Sequence, residues 1–149
     1  MSDEAADPRE ANLRRMKRVI EMTPFMRHLN MEFIEGGDGY AKLAMRYQDQ
    51  NSTAGKALHG GAISSLIDTT GAMAAWTTAE IATPKYFGST VGINVNYLSG
   101  AIGEDIFAEG RVLKRGKEIV YTDVRVTNAS GKLLAQGSVT YRIVEREAQ

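Results

Sequence analysis

The chain has no cysteine, three prolines and a single tryptophan in 149 residues. Without cysteine there is no disulfide framework, no thiol nucleophile and no thiolate-held metal, and a reducing, cytoplasmic setting is expected. An excess of either charge is missing as well, because eighteen Lys and Arg balance eighteen Asp and Glu. Nothing at the level of net charge therefore draws the chain to nucleic acid or to an anionic membrane, and neither is expected as a partner. An anionic ligand has to be held by a local cluster instead.

Other absences narrow the chemistry. The segment MSDEAADPREANLRR contains no apolar run of the kind a secretory signal needs. Ser64 and Ser65 are not framed by the glycines of a G-x-S-x-G nucleophile turn. Gly55-Lys56 lacks the upstream glycine and the following Ser or Thr of a phosphate-binding loop. Two histidines, His28 and His59, make a poor ligand supply for zinc, so neither metal nor cofactor is expected.

What remains is the composition of a soluble globular domain, 43% hydrophobic and 24% charged. Residues 1 to about 8 read as a mobile tail, and Leu13, Met16, Val19 and Ile20 recur at helical spacing over Arg9 to Glu21. This short helix, ended by Pro24, is expected to pack at the entrance to the domain. We place the tail and helix in residues 1–22 and the domain in residues 23–149. Met31 to Ile34 and Tyr40 to Tyr47 then form a hairpin around Glu35-Gly36-Gly37-Asp38-Gly39.

From Leu58 to Ala79 the chain is apolar or small almost throughout, and Asp68 is its only formal charge. Ile63, Leu66, Ile67, Thr70, Met73, Ala74 and Thr77 mark one helical face, and the opposite face carries no Lys, Arg or Glu. Such a helix is expected to be buried on nearly every side. Three glycines, paired serines, four threonines and the central aspartate argue against its crossing a membrane. In the last third, Val91, Ile93, Val95 and Tyr97 alternate with Asn94 and Asn96, as in a half-buried strand. Ile106 to Leu113, Glu118 to Thr127 and Lys132 to Val144 follow as an antiparallel meander. One buried helix with these strands fits an α+β fold in which a bent antiparallel sheet wraps a long central helix, the hotdog architecture.

Asp68 is the first candidate for chemistry, since an unpaired carboxylate in an apolar helix costs several kcal/mol unless compensated. A hydrogen bond to a hydroxyl on a neighbouring segment is the competing structural explanation. His59 stands at the start of the same helix, before Gly60 and Gly61, where free first-turn N–H groups and the helix dipole suit a developing oxyanion. His59 and Asp68 are nine positions apart, about 13 Å along a helix, too far to act on one carbonyl. If both are catalytic they come from different subunits of a two-fold dimer.

The run NSTAGKALHGGAISSLID resembles the helix-start motif of the PaaI-type hotdog thioesterases, with HGG followed by an acidic residue nine positions after the histidine. The resemblance continues through STVGINVNYLSGAIGEDIFAEGRVLKRGKEIVYTDVRVTN to GKLLAQGSVTY. It implies hydrolysis of acyl-CoA thioesters, commonly by dimers of dimers. On this resemblance Asp68 is the general base or nucleophile, Gly60 N–H the oxyanion donor and Thr90 a hydroxyl that helps hold the water. His59 matches the histidine that orients the thioester or its neighbours. Thr53 and Lys56 stand where the family has Asn and Gly, six and three residues before the histidine; the nearest candidates are Asn51 and Gly55, eight and four before it, and a loop insertion is one way to deliver Asn51 to the carbonyl. Arg115 and Lys117 resemble a basic turn near the CoA phosphates, although a solvated hairpin turn has the same composition. The rival expectations are a hotdog acyl-CoA hydratase or dehydratase and a non-catalytic acyl-CoA-binding module.

Overall fold

The computed structural model describes residues 7–79 and 85–147. Most of the expected N-terminal tail, residues 1–6, lies outside them. Helix α1 spans Pro8–Met22, with Asp7 accepting the Arg9 N–H at 3.0 Å and Pro8 in the first turn. Pro24 does follow its end, but it also opens a second short helix, α2 (Pro24–His28), that the helical periodicity did not signal. Met16 and Ile20 of α1 are buried in the same core as the sheet.

Six strands form one antiparallel sheet: β1 (Met31–Gly37), β2 (Tyr40–Met45), β3 (Tyr86–Tyr97), β4 (Ile106–Arg115), β5 (Ile119–Asn128) and β6 (Leu133–Glu145). Their order is β1-β2-β4-β5-β6-β3, so the expected meander β4-β5-β6 occupies the centre and β3 is an edge. The β1–β2 turn takes positive φ at Gly37, Asp38 and Gly39, as its glycines led us to expect. Helix α3 (Gly60–Trp76) lies across the inner face of the sheet, mainly against β2, β4, β5 and β6. The fit is close enough that a methyl group on Gly71 would meet the Val139 side chain at 2.6 Å. No described helix is long and apolar enough to cross a membrane.

Two expectations about burial need correction. Helix α3 is not buried all round: Ser64, Ser65, Asp68, Ala72 and Trp76 are half-buried and run along its side. Nor is β3 half-buried, because Val91, Ile93 and Tyr97 are 61%, 43% and 53% exposed. The cause is common to both, since among the described residues β3 is the sheet edge and no strand lies beyond it.

A β-bulge also breaks the alternation in β3. Thr90 pairs with Tyr141 and Gly92 with Thr140, leaving Val91 as an extra residue. Tyr141 and Val139 are buried, so Thr90 faces the helix before the bulge and Ile93, Val95 and Tyr97 face it afterwards.

On the inner face of β5, Val120, Thr122, Val124 and Val126 are all buried. Among the described residues the Thr122 hydroxyl is the buried side-chain polar atom without a hydrogen-bond partner. Thr122→Val keeps the shape and removes that unpaired group, so it is expected to stabilise the fold by about 1 kcal/mol. Thermal denaturation should show the Tm rising by roughly 3 °C; a lower Tm would mean that the hydroxyl has a stabilising partner.

Candidate active site

The segment before α3 is held from both sides. Ser52 and Leu58 form one bridge, Ala57 and Ile102 another, and the Leu58 N–H donates to the Ala101 carbonyl at 2.9 Å. The His59 N–H donates to the Asn51 carbonyl at 2.8 Å. Lys56, where the family pattern has glycine, takes φ 63° in the left-handed region, and Gly55 beside it takes φ 75°. The backbone at residue 56 is thus glycine-like in spite of its side chain.

The Asn51 side chain does not turn towards the start of α3. It is 2% exposed; its amide donates to the Leu29 carbonyl at 2.7 Å, and its oxygen accepts from Gln48 Nε2 at 2.9 Å. In this chain the Asn51 main chain holds His59 while its side chain ties the loop to Leu29 and Gln48.

His59 caps α3. Its Nδ1 accepts the Gly61 N–H at 2.8 Å, which makes Nδ1 the unprotonated nitrogen and leaves Nε2 as the donor of the neutral ring. A side chain on Gly61 would sit 2.9 Å from Nδ1, so the second glycine of HGG is required by the cap. The first-turn amides can then be assigned one by one. The Gly61 N–H goes to His59 Nδ1, and those of Ala62 and Ile63 both go to the His59 carbonyl at 2.9 and 3.1 Å. Among the described residues the Gly60 N–H has no acceptor, at the positive end of a 17-residue helix.

Tyr97 is a contributor that the strand pattern placed only on a face. Its hydroxyl donates to the Gly60 carbonyl at 2.9 Å and accepts from the Ser64 hydroxyl. A side chain on Gly60 would press against the Tyr97 ring at 3.3 Å. Period 2 from Val95 and four-residue spacing from Gly60 to Ser64 could have found this pair.

Asp68 stands more than two turns farther along α3, half-buried, with Oδ1 accepting from the Thr90 hydroxyl at 2.6 Å. Thr90 is its one hydrogen-bond donor among the described residues. Thr90 in turn lies opposite Tyr141, whose hydroxyl accepts from Trp76 Nε1 at 3.0 Å. Burial pushes the Tyr141 phenol up, the Trp76 bond opposes that, and the negative charge of Asp68 pushes it up further, so the phenol remains neutral. One chain therefore carries two candidate half-sites on one helix: an amide with His59, and a carboxylate with Thr90. Arg115 and Lys117 are elsewhere, exposed in the β4–β5 turn, where Arg115 donates to the carbonyls of Gly116 and Lys117. Among the described residues no group of His, Asp and Glu could hold a metal.

Comparison with known proteins decides the family, because the pattern of the thioesterase superfamily matches residues 55–135, from the anchored loop through both half-sites to β6. The chain belongs to the thioesterase superfamily. Acyl-coenzyme A thioesterase 13 of Homo sapiens is 38% identical over 109 residues, covering 72% of this chain and 75% of that protein. The crystal structure of zebra fish thioesterase superfamily member 2 is 33% identical, with a TM-score of 0.75 over 87% of this chain and 96% of that one. A Streptococcus mutans protein solved with acetyl CoA shares the fold at 21% identity and a TM-score of 0.69, covering 80% of this chain and 92% of that one. Within this superfamily the chain has the hotdog fold expected from its sequence, a six-stranded antiparallel sheet with one long helix.

Proposed function

We propose that this thioesterase-superfamily chain hydrolyses acyl-CoA thioesters in sites shared between two copies of itself. The observation that carries the shared site is the separation of the two half-sites along one unbroken helix, from Gly60 to Asp68, about 12 Å. The uncovered edge supports it: β3 offers unpaired backbone and exposed Val91, Ile93 and Tyr97 to a second strand. Two β3 strands paired antiparallel about Ile93 bring Thr90 and Asp68 of one copy towards the partner's His59 and the partner's Gly60. The half-buried stripe from Ser64 to Trp76 is covered by the same arrangement. The resemblance to PaaI-type enzymes favours a dimer of such dimers, and the lack of cysteine favours the cytoplasm.

In this site the thioester carbonyl oxygen accepts from the partner's Gly60 N–H, reinforced by the helix dipole. The partner's His59, its tautomer set by the cap, presents Nε2–H to orient the thioester. Thr90 donates to Asp68 and keeps lone pairs with which to accept from a water. Asp68 takes a proton from that water as its oxygen bonds to the carbonyl carbon. Collapse breaks the C–S bond, and the proton passes to the departing CoA sulfur, leaving acid and thiol. Asn51 is a positioning residue. None of these steps calls for a metal or cofactor.

The test is thiol release over a panel of aliphatic and aromatic acyl-CoAs. Stoichiometric thiol and acid support the proposal. Loss of enoyl-thioester absorbance without thiol would make the chain a hydratase, and tight binding with intact ligand would make it a binding module.

We assign Arg115 and Lys117 to the CoA phosphates. The β4–β5 turn lies at the end of the sheet where β3 begins, the end that faces the partner's helix start when two β3 strands run antiparallel. Alanine at both positions is expected to raise the KM for acyl-CoA several-fold more than for a short pantetheine thioester, since only the former carries the nucleotide phosphates. Equal effects on the two substrates would remove the turn from the site.

A further inference from the structure

Behind His59 a series of hydrogen bonds runs back to the end of β3. Tyr97 is the last residue of that strand, and just beyond it the Leu98 and Ser99 N–H groups donate to the Leu134 carbonyl at 2.9 and 3.1 Å. These bonds pin the strand end to β6, where Tyr97 itself pairs with the buried Ala135. The anchored ring lies against Gly60, whose missing side chain would meet it at 3.3 Å.

Elimination fixes the direction of every proton in the series. A carbonyl only accepts, so the Tyr97 hydroxyl spends its hydrogen on the Gly60 oxygen, 2.9 Å away. The Ser64 hydroxyl, which also meets the phenol oxygen, is therefore the donor of that bond. The Gly60 carbonyl and the Gly61 N–H belong to one peptide group, and that N–H donates to His59 Nδ1 at 2.8 Å. Ser64 thus donates to Tyr97, Tyr97 to the Gly60–Gly61 peptide, and the peptide to the imidazole. What stands at the end of the series is the His59 Nε2–H.

Hydrogen bonds aligned in this way strengthen one another, because each donor is polarised by the bond it accepts. A phenol on the Gly60 carbonyl makes the Gly61 N–H a stronger donor, and a stronger bond to Nδ1 makes Nε2–H more electropositive while holding the ring in place. Resting on the thioesterase reading above, we infer that Tyr97 is a positioning residue for hydrolysis: through the Gly60–Gly61 peptide it sets the orientation and donor strength of His59. Tyr97 is 53% exposed in the single chain, on the β3 edge that the proposed pairing covers. Water competes for these bonds in a lone subunit and less so in the dimer, so the series gains its strength where the partner's Asp68 is also present.

The experiment compares the full chain with Tyr97→Phe, which keeps the ring and removes the hydroxyl, and with Ser64→Ala. On the acyl-CoA that the wild type turns over fastest, Tyr97→Phe is expected to lose about tenfold in kcat with KM little changed, short of the hundredfold or more that follows loss of a direct oxyanion donor. Nitrogen NMR of isotope-labelled, neutral imidazole supplies a readout that a packing role would not move. Only His28 and His59 contribute, and His28→Gln assigns the signals. In Tyr97→Phe the His59 Nδ1 resonance should shift towards that of an unbonded acceptor nitrogen, and the Gly61 amide proton should move upfield. Ser64→Ala should move both the same way by less, with a smaller loss of kcat. If Tyr97→Phe does not fold, Ser64→Ala decides by the same two signals. Turnover lost with both signals in place, signals shifted with turnover intact, or no change in either overturns the inference while hydrolysis by the wild type stands. A wild type that releases no thiol from any acyl-CoA overturns the thioesterase reading itself, and this role with it.

Discussion

Asp68→Asn should leave a folded oligomer whose acyl-CoA turnover has fallen by at least about a hundredfold. The fold survives because Asn keeps the size of Asp, and its oxygen can still accept the Thr90 hydroxyl that now lies 2.6 Å from Oδ1. What disappears is the only strong proton acceptor among the described residues of this half-site: the neighbouring groups are a threonine hydroxyl and a buried phenol held neutral. Steady-state thiol release, read beside circular dichroism and size-exclusion chromatography, measures both parts. Near-normal turnover in a well-folded variant would return Asp68 to the structural role that its bond with Thr90 could also serve.

Mixing two dead variants should restore activity. His59→Ala and Asp68→Ala subunits are each expected to be nearly inactive alone, because in each homodimer both sites carry the same lesion. In a mixed dimer one site collects both lesions and the other receives an intact His59 from one chain and an intact Asp68 from its partner. Random exchange makes about half the dimers mixed, with one of two sites alive, so roughly a quarter of wild-type activity should return. Mass spectrometry establishes the exchange independently. Exchange without recovery would mean that the two half-sites do not meet across β3, however suitable that edge looks in the single chain.

Much of this arrangement could be read before any coordinates. The charge-poor run from Leu58 to Ala79 marks the central helix, which forms over Gly60–Trp76, and the turns LKRGK and NASGK mark the meander. The nine-residue interval between His59 and Asp68 needs only the helical rise to raise the question of a second subunit. Other features depend on facts that periodicity does not carry. Position in the sheet decided the exposure of β3, because an alternating strand looks alike in the centre and at the edge. The partners of the Asn51 amide, Leu29 and Gln48, lie 22 and 3 residues away in the chain, and no local pattern signals such bonds. Helix α2 is a single five-residue segment, too short for an apolar period to show. A cleft of about 270 Å³ is lined by residues of α1, α3 and β3, three elements far apart in sequence, and no local pattern announces it.

The extra residue in β3 gives the site an unusual kind of vulnerability. Val91 is largely exposed in the single chain and opposes no residue of β6. Its presence in the count is another matter. Tyr97 reaches the Gly60 carbonyl and Thr90 reaches Asp68 although seven positions separate them, an odd interval that an unbroken strand would place on opposite faces. Deleting residue 91 would therefore rotate one end of the strand relative to the other. Protection of this active site rests partly on spelling length, a constraint that a tally of substitutions at residue 91 would pass over.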